Sequence, residues 1–490
     1  MSTSATSVGL KPCPLYIDGR PVISRGPKDV QYNPATGEAV AEVPRSTAEE
    51  ISAAIGAAAK AFPGWSRIPV IQRAKVLFKY REVLEAHADE LIRLITEENG
   101  KTIDEARGSF QRGIENVEFA CGVPTFTMGN TVEQVGSGVD GWSTRNPIGV
   151  CVGITPFNFP FMVPLWMFPM AIACGNTFVL KPSDKVPRTA VRLVELASEA
   201  GLPPGVLNLV HGAKSTVDAL LCDPRVKAVS FVGSSSVARS IYQTAANNGK
   251  RVQALGGAKN HTVVLPDAEL KSTVAAIMGS GYGCAGERCL ATSVVVAVGE
   301  AADPLVKELV RAADNLNVGA GCEIKTQMGP IITEEAKKRI LAYIELGEKE
   351  GATLARDGRK DAVTKGSGYF VGPTIFDDVD PQSRIAKEEI FGPVLAVIRV
   401  ETLKEALAVI DNSEYGNAAS IFTRSGGAAR EFSQNVSAGM VGINVGVPAP
   451  VAFFSFTGWK NSFFGDLHAL GKDSVHFYTE QRVVTCRWPD

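Results

Sequence analysis

The chain has 490 residues, 45% of them hydrophobic and 21% charged, with a formal net charge of −2. That length exceeds what one hydrophobic core supports, so two or three domains are expected. The composition excludes a disordered or collagen-like chain. The near-neutral charge gives no electrostatic reason to expect nucleic acid or an anionic membrane as a partner.

The opening stretch MSTSATSVGLKPCPLYIDG has neither the basic-then-apolar pattern of a signal peptide nor the arginines of a transit peptide. It reads as a short flexible tail. From 48 to 123 the pattern is mostly helical, and the run Ile71-Gln-Arg-Ala-Lys-Val-Leu-Phe-Lys-Tyr80 spaces apolar residues three and four apart. Residues 125–144 carry Gly, Ser and Thr with some alternation. Residues 148–180 hold no charge, but Pro156, Pro160, Pro164 and Pro169 interrupt them. A membrane helix tolerates such breaks poorly, so strand, loop, helix and second strand is the better reading.

Between 150 and 264, β-rich runs at 150–154, 177–180, 206–210 and 228–232 alternate with helix-length segments such as 188–200 and 237–248. A second alternation runs from 262 to 447 and includes 293–298, 395–399 and 418–423. Alternating strands and helices imply parallel pairing, so the expected fold class is α/β, with two doubly wound open-sheet domains. The β-prone run 478–488 suits a strand that pairs with 125–144 and with a second subunit; two surface hairpins on a monomer are the alternative. Nine cysteines without C-x-x-C spacing, and five scattered histidines, argue against both a disulfide framework and a bound metal. A reducing, cytoplasmic setting is expected.

Four short motifs carry chemistry. Gly283-Cys-Ala-Gly-Glu-Arg-Cys289 places small residues and one cation, Arg288, beside a cysteine, as a thiol nucleophile needs. A buried structural cysteine would look similar, and Cys284 is read that way. Thr155-Pro-Phe157-Asn158 closes a strand, where ligands of open α/β sheets gather, and the Asn158 amide could donate to an oxyanion. Lys181-Pro-Ser-Asp184, followed by Lys185, could hold ribose hydroxyls, or could be solvated loop charges. Phe231-Val-Gly233-Ser234 runs from a strand into a helix start, a natural pyrophosphate site that an ordinary serine N-cap would mimic.

In this order and at this spacing, the four motifs resemble the aldehyde dehydrogenase superfamily, and Glu389-Ile-Phe391-Gly-Pro adds a fifth match. The resemblance implies NAD held by Thr155, Phe157, Lys181, Asp184, Lys185, Gly233 and Ser234, with Glu389 and Phe391 at the nicotinamide ribose. Cys289 becomes the nucleophile, and the Asn158 amide with the Cys289 backbone N–H steadies the oxyanion. It further implies a cofactor domain of 1–124 and 145–256, a catalytic domain of 257–447, and an oligomerisation arm of 125–144 and 479–490. Residues 448–478 would return to pack on the cofactor domain, and the assembly would be a homotetramer of paired dimers. Asp184 should repel a 2′-phosphate, while neighbouring Lys185 works the other way. Asp184 stands where the family often has glutamate, and Ala238 where it often has glycine.

Hydrolytic members place a glutamate just before a Leu-Gly-Gly-Lys element. Here the stretch Val252-Gln-Ala-Leu255-Gly-Gly-Ala-Lys259-Asn-His261 contains no carboxylate. Without that base water attacks slowly, so a thiol, coenzyme A, is the expected acceptor. Gly-Ala-Lys259-Asn-His261, Arg112-Gly-Ile-Glu-Asn and Gly465-Asp-Leu-His468 are similar to the CoA-acylating methylmalonate-semialdehyde dehydrogenases. That subfamily implies Arg112 and Arg288 as ligands of a substrate carboxylate, methylmalonate or malonate semialdehyde as substrate, loss of CO2, and propionyl-CoA or acetyl-CoA as product. The alternatives are a hydrolytic aldehyde dehydrogenase that releases a free acid, and a non-catalytic binding protein on the same fold.

Overall fold

The computed structural model describes residue 10 and residues 12–488. Most of the expected N-terminal tail and the last two residues of the expected arm lie outside that range. The first sheet is built on five parallel strands, in the spatial order Leu207–Leu209, Thr177–Lys181, Val150–Ile154, Val226–Val232 and Arg251–Leu255. Numbered along the chain, that order is 3-2-1-4-5, the doubly wound arrangement with its switch point beside the first strand. Residues of Val150–Ile154 alternate between two cores. Cys151 packs with the helices that follow Pro69, while Val150, Val152 and Ile154 pack with Ile51, Ile55 and Ile241. Burial on both faces explains why these strands read as unbroken apolar runs.

Four long helices precede the parallel strands of this sheet: Ala48–Ser66, Val70–Ala86, Ala88–Asn99 and Ile103–Cys121. The first and fourth start in capping boxes, Thr47 with Glu50 and Thr102 with Glu105, each contributing about 1 kcal/mol. The proline-broken stretch forms a buried helix, Met162–Ala173, between the strands Val150–Ile154 and Thr177–Lys181, as expected. Gly113 lets the helix Ile103–Cys121 approach its start, because a Cβ there would stand 2.4 Å from the Phe161 ring.

The second sheet has seven strands, with Val394–Val400, Thr292–Val298, Asn260–Val264 and Ala418–Phe422 as parallel neighbours at its centre. Its core is continuous from Val263 to Ala438. Thr479–Arg487 pairs along its whole length with Val139–Pro147, which pairs in turn with Thr131–Gly136. The two β-prone segments do meet. Short strands at the two rims escaped the sequence pattern: Leu15–Ile17 with the edge strand Arg20–Val22 beyond it, and the opposite edge strand Phe463–Gly465, each antiparallel to its neighbour. With three residues each, they are too short to show a period. The helix expected from 237 begins at Ser235, directly after Ser234.

Candidate active site

Three loops leave the carboxyl ends of the parallel strands around the switch point, where such sheets receive ligands. Thr155 to Asn158 follow the strand Val150–Ile154, and the Thr155 N–H donates to the carbonyl of Lys181 at 3.1 Å. Lys181 ends the neighbouring strand, with its buried ammonium 3.6 Å from Asp184 Oδ1. Burial lowers the Lys181 pKa and the Asp184 charge partly restores it. The same Asp184 oxygen accepts the Gly212 N–H at 3.1 Å. Lys185 lies over the Phe157 ring, 4.9 Å from its centroid. On the other side of the switch point, Gly233 and Ser234 lead into the helix Ser235–Asn247, whose first turn has no side-chain cap. Amides left open at a helix start attract anions.

Glu389 and Phe391 come from the opposite side of the cleft. Glu389 Oε1 accepts the Ala258 N–H at 2.9 Å. The carboxylate lies so close to Gly257 that a Cβ there would fall 2.3 Å from Oε2. Phe391 adopts a left-handed backbone, φ 53°, and meets Phe157 edge-on at 5.8 Å. Together with Phe157, Asn158, Lys185, Ser234 and Cys289, these residues bound a cavity of about 380 Å³.

Cys289 follows a strained turn. Cys284, Ala285 and Gly286 have φ of 50°, 52° and 74°, a left-handed backbone that costs roughly 1–2 kcal/mol for each non-glycine residue. Glu105, from the helix Ile103–Cys121, holds the turn in place. Its Oε1 accepts the Cys284 N–H at 2.5 Å and lies 3.5 Å from Arg288 Nη2. Arg288 Nε points at Cys284 Sγ, 3.2 Å away, so Cys284 is buried beneath the arginine. The Cys289 carbonyl accepts two side-chain amides, from Asn260 and Asn417, each at 2.9 Å. Asn158 Nδ2 donates to the Glu287 carbonyl at 3.0 Å. That bond brings the amide against the Cys289 loop and leaves its second N–H for another acceptor.

Burial pushes the Cys289 thiol up to about 12, and the Glu389 charge pushes the same way; Arg288 and two backbone N–H groups pull it down. Arg288 alone therefore does not supply the thiolate that the sequence suggested. A second cavity, of about 500 Å³, opens on the far side of Cys289. Its wall includes Arg112, Arg288, Phe159, Trp166 and Phe456. Arg112 Nη1 donates to Glu115 at 2.9 Å, so both arginines carry a carboxylate partner from the chain itself. Among the described residues, Cys289 is the one candidate nucleophile that lines both cavities.

The profile of the aldehyde dehydrogenase family matches residues 25–484. The chain belongs to the aldehyde dehydrogenase family. Malonate-semialdehyde dehydrogenase 1 of Geobacillus thermodenitrificans is 56% identical over 98% of this chain and 100% of its own. The malonate-semialdehyde dehydrogenase of Halalkalibacterium halodurans is 54% identical over 100% of both chains. Among solved structures, methylmalonate-semialdehyde dehydrogenase from Oceanimonas doudoroffii superposes with a TM-score of 0.97 at 51% identity, covering 98% of this chain and 99% of its own. A Sinorhizobium meliloti protein solved in complex with NAD superposes equally well, at 46% identity and the same coverage.

In this aldehyde dehydrogenase, Ala254 and Leu255 are buried at the end of the strand Arg251–Leu255, paired with Phe231 and Val232. The carboxylate whose charge acts on Cys289 is Glu389, which is anchored on Ala258. Glu287, two residues before Cys289, is buried and pushed up to about 8 by desolvation, with its Oε1 accepting the Ile332 N–H. All nine cysteines are free thiols. Among the described residues no cluster of metal-ligating side chains occurs, and no helix is long and apolar enough to cross a membrane. Sequence reading missed Lys101, Glu105 and Asn417, and quoted Asn260 only as part of a motif. Each acts through bonds to loops distant in sequence, which no local pattern reports.

Proposed function

We propose that this protein is an NAD-dependent, CoA-acylating oxidoreductase for methylmalonate or malonate semialdehyde, working through a thioester on Cys289. The observation that carries the reading is Cys289 at the meeting point of two cavities, with aliphatic Ala254 and Leu255 where a hydrolytic base would stand. The first cavity suits a dinucleotide. Its open helix start fits a pyrophosphate, and Lys181 with Asp184, beside the cavity rather than in its lining, would meet ribose hydroxyls. Thr155 and Gly233 shape the backbone around it, and Phe157, Lys185, Glu389 and Phe391 line its nicotinamide end. When bound, NAD supplies the acceptor for the two electrons and the hydrogen that leave the aldehyde carbon.

The chain's own residues do the rest. Cys289 gives up its thiol proton to solvent and its Sγ bonds to the aldehyde carbon, and the carbonyl oxygen becomes an oxyanion that the free N–H of Asn158 and the Cys289 N–H receive. Oxidation at that carbon leaves a thioester on the sulfur. Arg112 and Arg288 hold the substrate carboxylate by charge-assisted bonds, exchanging it for Glu115 and Glu105. The bond to the carboxylate carbon breaks to release CO2, its electron pair passes into the thioester enolate, and the α-carbon takes a proton from solvent. The thiol of coenzyme A then displaces Cys289, which regains the thiol proton, to give propionyl-CoA or acetyl-CoA.

Residues 1–124 and 145–256 serve the cofactor and 257–447 the chemistry. The three-stranded arm, which exposes Val132, Val135 and Val483, serves subunit contact in a cytoplasmic dimer of dimers. The deciding experiment supplies methylmalonate semialdehyde and NAD with and without coenzyme A. Steady turnover should require coenzyme A and yield propionyl-CoA with CO2; equal turnover without it, releasing free acid, would overturn the reading.

A further inference from the structure

The short link between the helices Ala88–Asn99 and Ile103–Cys121 is unusually well connected. Asn99 Nδ2 donates to the Phe157 carbonyl at 3.1 Å, and Lys101 Nζ donates to the Asn158 carbonyl at 2.6 Å. Two consecutive carbonyls of the oxyanion loop are therefore gripped by side chains two residues apart. Four residues beyond Lys101, Glu105 grips the other half of the site through Cys284 and Arg288. The link is itself fixed from the catalytic side, since Ile103 N–H donates to the Gly321 carbonyl at 3.1 Å. Gly321 and Gly329 approach its backbone so closely that a Cβ on either would fall within 2.3 Å of a carbonyl oxygen of Gly100 or Lys101.

Lys101 is only 2% exposed. A buried ammonium is costly unless its position serves a purpose or its charge is met. The Phe159 ring lies 4.0 Å from Nζ, and Glu105 and Glu287 offset the charge at longer range. An apolar side chain of similar length would fill the same space without that burden. What it could not do is hold the peptide plane of Asn158 at a fixed angle to the loop that carries Cys289.

We propose that Lys101 is a positioning residue for the reaction: by clamping the Asn158 carbonyl it sets the aim of the Asn158 amide at the carbonyl oxygen bound to Cys289. The inference rests on the proposed roles of Cys289 and Asn158. Its test measures the pre-steady-state burst of NADH formation in the full-length enzyme and its Lys101→Met, Asn158→Ala and doubly substituted variants. Lys101→Met should keep its NAD affinity and its aldehyde KM within about threefold, while the burst rate falls roughly tenfold to a hundredfold, less than the loss of a whole oxyanion donor. The double variant should be no slower than Asn158→Ala alone, because Lys101 acts only through that amide. A Lys101→Met burst within about threefold of the parent, or losses that multiply in the double variant, would overturn the positioning role. Lys101→Arg, which keeps a donor, should recover part of the rate if it folds; the double-variant comparison decides whether or not it does. Failure of the underlying reading looks different: the parent enzyme would show no burst, or Cys289→Ala would retain one.

Discussion

The two sides of Cys289 are built from different materials. The side proposed for the cofactor consists of strand ends, glycines, open amides and a few side chains fixed by backbone bonds, such as Glu389 on Ala258. The side proposed for the substrate consists of side chains from helices and loops far apart in sequence, with Arg112 and Arg288 each balanced by a neighbouring carboxylate. A surface made of backbone is rigid and generic, suited to a ligand shared by many enzymes. One made of exchangeable ion pairs can be retuned by single substitutions, and selectivity belongs there. The thiol feels both: the carboxylate on one side raises its pKa and the guanidinium on the other lowers it.

The largest effect should come from the atom the two sides share. Cys289→Ala should lower turnover by on the order of 10⁵-fold or more, with NAD affinity retained in a fluorescence titration. Surviving turnover would separate the two cavities from the chemistry altogether. Next in size is Asn158→Ala, which removes the proposed oxyanion donor and should slow the NADH burst by roughly 10²–10³. It should leave the KM ratio between semialdehyde and propanal unchanged, since the amide sees only the carbonyl oxygen. Arg112→Ala probes the substrate side. KM for a carboxylate-bearing semialdehyde should rise by roughly 10–100-fold, the worth of a charge-assisted hydrogen bond. For propanal it should change by less than about threefold. Equal losses with both substrates would make Arg112 a structural partner of Glu115 and remove the claimed contrast.

The same difference in materials governs what could be read from the sequence. Strands buried on both faces print continuous apolar runs, so Val150–Ile154 and Thr177–Lys181 were legible almost to the residue. Their loops follow directly in sequence, which kept the cofactor side compact: Thr155 to Asn158, Lys181 to Lys185, and Gly233 with Ser234. Lys101, Glu105 and Asn417 were hidden because each meets its loop across more than 50 intervening residues. A lone Lys in Glu-Asn-Gly-Lys101-Thr reads as solvated until tertiary packing buries it. The reach of Arg288 was legible as charge beside a thiol, but its bond to Glu105 was not, nor was the burial that outweighs the charge and raises the Cys289 pKa. Edge strands of three residues fell below the length at which any period shows.

The smallest effect is the sharpest test of how the two sides share the sulfur. With a thiol held at about 12, the thiolate fraction near neutral pH is very small and grows tenfold for each unit of pH. Alkylation of Cys289 in the cofactor-free enzyme, read by mass spectrometry of its peptide, should therefore climb steadily from pH 7 to about pH 10 without levelling. Removing the raising charge with Glu389→Gln lowers the pKa, so labelling near pH 9 should speed up. Removing the lowering charge with Arg288→Gln raises the pKa, so labelling should slow. Each change is expected to be roughly threefold to tenfold, the scale of one charge acting through partly solvated protein. Opposite signs would show the thiol poised between the two cavities. If both variants moved the rate the same way, access rather than charge would control the sulfur, and the electrostatic half of the contrast would be lost.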